Sequence, residues 1–113
     1  MKIWYNYFNI KTKELSMLNQ EDILSYLTEH KKEFQEKYNI EQIGLFGSYA
    51  RNEAHKNSDI DIVISLQKTT LSALVGIKED IELYFKTSVD IIQLRERMNE
   101  FLKKRIERDV IYV

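Results

Sequence analysis

Two aspartates one residue apart, Asp59 and Asp61 in Ser-Asp-Ile-Asp-Ile-Val-Ile-Ser-Leu, carry the most specific chemical signal in the chain. The run from Asp59 to Leu66 alternates, which reads as a strand with Ile60, Ile62, Ile64 and Leu66 on one face and Asp59, Asp61 and Val63 on the other. At a rise of about 3.3 Å per residue, the two carboxylates project from that face about 6 to 7 Å apart. Like charges held so close call for a cation, and a donor set of oxygens alone suits a hard ion such as Mg²⁺. Asp90, a lone carboxylate between Val89 and Ile91, stands in a second β-branched run that a sheet can lay beside the first. Three acids on adjoining strands can hold two ions, and ions about 3.5 to 4 Å apart clamp the attacking and leaving oxygens of phosphoryl or nucleotidyl transfer. Upstream, Gly44-Leu45-Phe46-Gly47-Ser48 ends an apolar run in a glycine turn, where backbone N–H groups and the Ser48 hydroxyl can meet phosphate oxygens. A plainer structural alternative stands beside each: Asp59 as a turn residue, Asp61 facing solvent, Asp90 as an edge charge, Gly47-Ser48 as a helix cap.

The elements that must position these groups follow from periodicity. Asn19 caps a helix over about 20–38, with Asp22 as the third residue of a box-like cap and Ile23, Leu27, Phe34 and Tyr38 as its apolar stripe. Ile40 to Phe46 is a short strand, and Tyr49 to Ser58 reads as a polar connection. Leu71, Leu74, Val75, Ile81 and Phe85 stripe a second helix, interrupted by Gly76, and Val89 to Gln93 forms the third strand. Leu94, Met98, Phe101, Leu102 and Ile106 stripe a third helix, and Val110 to Val113 suits an edge strand. Helices alternating with strands imply an α/β (mixed α+β) domain, a small mixed sheet of three to four strands with helices packed on it.

With 113 residues the chain has room for one core, not two independent domains. Its 17 basic and 18 acidic residues leave a net charge of −1, without the basic excess that a duplex-binding protein uses against phosphates. The absence of cysteine removes disulfides, thiolate chemistry and sulfur-ligated zinc. No apolar run approaches the roughly 20 residues of a membrane span, and no signal-peptide pattern is visible, so a cytoplasmic protein is expected.

The run Gly47-Ser48, ten intervening residues, then Asp59-Ile60-Asp61, with Asp90 in Val-Asp-Ile-Ile, resembles the signature of the DNA polymerase β nucleotidyltransferase superfamily. The chain is most similar to its minimal nucleotidyltransferase branch, which includes the antitoxins of HEPN/MNT toxin–antitoxin pairs, over about Met17 to the C-terminal Val-Ile-Tyr-Val. The resemblance implies a polymerase-β-like fold, with Gly47 and Ser48 holding a nucleotide triphosphate and Asp59, Asp61 and Asp90 holding the metals and carrying the chemistry. Arg51 matches a position commonly basic in the branch, either touching a phosphate or pairing with an acid that orients the loop. The implied reaction uses ATP and Mg²⁺, two ions with Mn²⁺ able to substitute, and transfers AMP to a hydroxyl, that of a tyrosine, of a HEPN ribonuclease toxin. Two alternatives stay open: a non-catalytic antitoxin that neutralises its partner by binding, and transfer to a small-molecule hydroxyl. The implied assembly is with that toxin, as a homo- or hetero-oligomer, without duplex nucleic acid or membrane.

Other features invite weaker readings. Residues 1–16 crowd Ile3, Trp4, Tyr5, Tyr7 and Phe8 into an aromatic extension outside the resemblance, which covers a domain at 17–113. That extension is an added arm, a partner-docking element, or a leader to a start at Met17. His55 belongs to a polar loop, and His30 is placed near the end of the first helix, with no ligand role for either. Arg95, Arg97, Lys103, Lys104, Arg105 and Arg108 stand among Glu96, Glu100, Glu107 and Asp109 as a solvated helix face, with a partner- or nucleotide-facing role for some of them as the alternative.

Overall fold

The computed structural model describes residues 18–68 and 70–113, so the aromatic extension and the boundary at 17 lie outside the described residues. The first helix, α1 (Gln20–Tyr38), begins where the Asn19 side chain accepts the Asp22 N–H at 2.9 Å. It stops at Asn39, whose left-handed φ of 57° turns the chain into β1 (Ile40–Phe46). A single helical turn follows directly, α2 (Gly47–Ala50), then a loop and β2 (Ile60–Leu66). The chain continues through α3 (Leu71–Phe85), capped by Thr70, to β3 (Val89–Gln93), α4 (Glu100–Asp109), capped by Asn99, and β4 (Ile111–Tyr112).

The four strands make one mixed sheet in the order β3-β2-β1-β4. Strand β2 pairs antiparallel with β1 and parallel with β3, while the short β4 pairs antiparallel with the far edge of β1. The α3 crossover supplies the parallel connection. Alternation along β2 divides the core as expected. Ile60, Ile62 and Ile64 join Ile43, Leu45 and the helices α1 and α3, through Ile23, Leu27, Phe34, Ile77 and Ile81, in one buried cluster. Val63 points the other way, into a smaller cluster with Phe46 and Ile106 of α4. Burying an Ile or Leu side chain contributes about 1.5–3 kcal/mol, so these two clusters supply much of what fixes the helices on the sheet.

Four details differ from the sequence expectations. The connection after β1 is not uniformly polar: Gly47–Ala50 is helical and Tyr49 is buried. On α3 the buried positions are Ala73, Ile77 and Ile81, and Leu71 and Val75 are exposed, because the helix packs on the sheet through a stripe rotated from the expected one. Helix α4 starts only at Glu100, leaving Leu94 and Met98 in the approach to it, and Phe101 faces solvent. His30 lies mid-helix on α1, stacked on Tyr26 at 4.0 Å between ring centroids, rather than near the helix end. Gly76 acquires a packing role: a Cβ there would lie 2.6–2.8 Å from the ring end of Tyr38, so its absence lets α1 and α3 approach.

Candidate active site

The register of the sheet assembles the acids. Asp61 lies opposite Phe46 on β1 and opposite Asp90 on β3, so the central strand holds one carboxylate with a second beside it across a parallel pair. Neighbouring strands run about 4.8 Å apart, which brings Asp61 and Asp90 together despite their separation in the chain. Both share the sheet face of Val63 and Ile92, the face that α4 covers through Ile106. Asp59 precedes β2 by one residue and is exposed, as is Asp90, whereas Asp61 is half-buried.

Gly47 closes the site from the β1 side. Its φ is +75°, a backbone conformation that favours glycine, and a Cβ built on it would lie 2.0 Å from Asp61 Oδ2. Two constraints therefore coincide at one residue: the chain must turn sharply from strand to helix, and the Asp61 carboxylate occupies the space a side chain would need. Ser48 follows at the mouth of the site, half-exposed, its hydroxyl without a hydrogen bond among the described residues. The far end of α2 is tied down by Gln20, whose side-chain amide donates to the carbonyl oxygen of Ala50 at 2.7 Å.

Burial pushes the Asp61 carboxyl up to about 6, and the Asp90 charge adds to it; Arg105 opposes the shift, Asp59 adds to it and Arg51 opposes it. Burial also raises the Tyr49 phenol, with the Asp59 charge contributing, so Tyr49 feels the same acidic field. Arg51 shows the acid pairing of its two expected roles: it donates to Asp109 at 2.5 Å and to Glu53 at 3.0 Å. Arg108 also donates to Asp109, which is buried, and its hydrogen bonds hold the Asp109 carboxyl below the ordinary range with help from Arg51. The C-terminal turn of α4 thus grips the loop that follows α2.

Asp59, Asp61, Asp90, Gly47 and Ser48 therefore meet at one end of the sheet, while Arg51 braces the loop beside them. The residues fit a hard divalent cation, because the donors are carboxylate oxygens and a cation would offset the burial and the neighbouring acidic charges that raise Asp61. Among the described residues no three acidic or histidine side chains are drawn close enough to form a ready-made ligand set. The sequence reading missed Asp109, Gln20 and the nearness of Arg105 to the acids. Arg105 and Asp109 stand in the sequence as members of a charged helix face, some of whose cations had a partner- or nucleotide-facing role as the alternative, and their spacing of four, one helical turn, is a further trace.

The sequence profile of the nucleotidyltransferase domain matches residues 27–113. Protein adenylyltransferase MntA of Thermococcus cleftensis is 35% identical over 100 residues, spanning 88% of this chain and all of that protein. A solved structure described as a minimal nucleotidyltransferase superposes with a TM-score of 0.69 at 25% identity, covering 85% of this chain and 97% of the other. The MNT antitoxin in complex with a tri-AMPylated HEPN toxin of Shewanella oneidensis shares the fold, with a TM-score of 0.53 at 20% identity over 83% of this chain and 67% of that one.

Proposed function

The chain belongs to the nucleotidyltransferase domain family and is a nucleotidyltransferase of the minimal kind, and from that premise we propose that it transfers AMP from ATP to a tyrosine hydroxyl of a HEPN toxin. The observation that carries this reading is the register that sets Asp61 between Asp90 and the Gly47 turn. The adenylyltransferase activity named for the Thermococcus relative supports AMP as the transferred group. The HEPN toxin as acceptor is taken from the Shewanella pair, whose likeness to this chain is one of fold, and the tyrosine hydroxyl from the family resemblance.

In this reading Asp59, Asp61 and Asp90 hold Mg²⁺, one ion or two, with Mn²⁺ able to substitute. The metal, when bound, neutralises charge on the α-phosphate and on the departing pyrophosphate. The residues of the chain do the rest. Gly47 keeps the turn thin enough for a triphosphate to lie against the backbone, and Ser48 donates its hydroxyl to a phosphate oxygen. Asp90, exposed on the edge strand, accepts the proton of the incoming hydroxyl. The acceptor oxygen forms a bond to the α-phosphorus, the bond from that phosphorus to the β-bridging oxygen breaks, and pyrophosphate leaves. Arg51, held by Asp109 and Glu53, keeps the nucleotide loop in place. An ATP-consuming reaction on a protein partner suits a cytoplasmic location, which we include in the proposal.

Intact-mass spectrometry tests it. The full chain is incubated with ATP, Mg²⁺ and a HEPN-domain protein. An AMP-sized increment on the partner, absent when Asp59→Asn replaces the wild type, is the expected result. Unchanged partner mass together with a tight complex would overturn catalysis in favour of neutralisation by binding.

A further inference from the structure

We propose that Arg105 of α4 is a polyphosphate-binding residue of the nucleotide site, gripping the β- and γ-phosphates of ATP; the proposal rests on the nucleotidyl-transfer reading above. Ile106 fixes α4 against Phe46 and Val63, on the sheet face that carries Asp61. Asp109, one helical turn after Arg105, reaches Arg51 just beyond α2, so this side of α4 turns toward the loop of Gly47 and Ser48. Arg105, next to the first anchor and one turn before the second, is half-buried, and its charge acts on Asp61.

Its lack of a fixed partner sets it apart. Arg51 is held by Asp109 and Glu53, and Arg108 by Asp109. Arg105, among the described residues, makes no ion pair and no hydrogen bond. A guanidinium carries five N–H donors in a planar fork that matches phosphate geometry, and a partly desolvated one without an anion has unmet bonding capacity. In the metal-free protein the Asp61 charge, beside Asp90 and Asp59, offsets that of Arg105 in part. With cations held at those acids that offset would be removed, leaving the attraction of Arg105 for an anion entering beside Ser48. A triphosphate offers several negative oxygens beyond the α-phosphate, whereas AMP offers none there. Arg105 therefore favours the triphosphate and stabilises the charge that collects on pyrophosphate as the bond to the α-phosphorus breaks.

Calorimetric binding of AMP-PNP and of AMP to the full chain with Mn²⁺ tests the assignment. For Arg105→Gln the affinity for AMP-PNP should fall about tenfold or more while that for AMP changes less than about twofold, the size of loss expected for one charge-assisted contact. Arg105→Lys should recover most of the loss. Unchanged AMP-PNP binding in Arg105→Gln, or equal weakening of both ligands, overturns the role of Arg105. If Asp61→Asn loses AMP-PNP while Arg105→Gln keeps it, the transfer reading survives and the arginine assignment falls. If the wild type itself binds no AMP-PNP, both fall.

Discussion

Replacing Asp61 by Asn should make the metal-free protein more stable while destroying its activity. The carboxyl sits between Asp90 and the Gly47 backbone, and its folded-state value rises from 3.8 to about 6. A raised carboxylate is a penalty on the folded state: below about pH 4 both folded and unfolded forms are protonated and nothing is lost. The penalty grows between about pH 4 and 6 and is complete above that range. Two pK units correspond to a ceiling of about 3 kcal/mol, which screening at a half-exposed side chain reduces to about 1–2 kcal/mol. Asn has nearly the same shape and no charge, so Asp61→Asn should raise the Tm by about 5–10 °C at pH 8 in EDTA, with the gain vanishing near pH 4. Thermal unfolding followed by circular dichroism across that pH range reads this directly. Saturating Mg²⁺ should stabilise the wild type alone and close the gap, since a ligand at a hundred times its Kd contributes about 2.7 kcal/mol. A variant less stable than the wild type at pH 8, or a gain independent of pH, would refute the electrostatic account of this site.

Further outcomes follow from the surroundings of Asp61. Gly47→Ala places a Cβ 2.0 Å from Asp61 Oδ2 at a φ of +75°, and should cost about 1–3 kcal/mol in denaturant unfolding together with at least a hundredfold in kcat/KM. Asp109→Asn breaks the link from α4 to Arg51. Because the Asp109 carboxyl lies below its ordinary range, its contribution is present above about pH 4 and fades as acid protonates the folded state, so the deficit of the variant, about 1–3 kcal/mol, should shrink toward acid pH in urea titrations. Ser48→Ala should raise the KM for ATP by about tenfold in steady-state assays with little change in Tm, as expected for one lost hydrogen bond to a charged ligand.

Much of this arrangement was legible in the chain itself. The alternation of Ile60, Ile62 and Ile64 against Asp61 and Val63 fixed both the strand and the face of the acids, because a period of two admits no other phase. Asn19 marked the start of α1 through a capping bond that forms locally. Helical phase was harder to read: Leu71, Val75 and Phe101 are apolar yet exposed, and periodicity alone does not say which apolar side meets the sheet. The turn Gly47–Ala50 is too short to show a period at all. Pairing of Asp61 with Asp90, and of Arg51 with Asp109, depends on the folded path of the chain, where sequence offers residue type but no proximity.

The bond from Arg51 to Asp109 spans 58 residues, and the pairing of Asp61 on the central strand with Asp90 on β3 requires the α3 crossover to be complete. A ribosome-bound chain that has emitted only the Gly47 turn and the Asp59–Asp61 pair holds neither the third acid nor the brace of its loop. Assembly of this arrangement consequently waits for Asp90 and Asp109 to emerge, and a product truncated before them would carry the sequence signature without the arrangement.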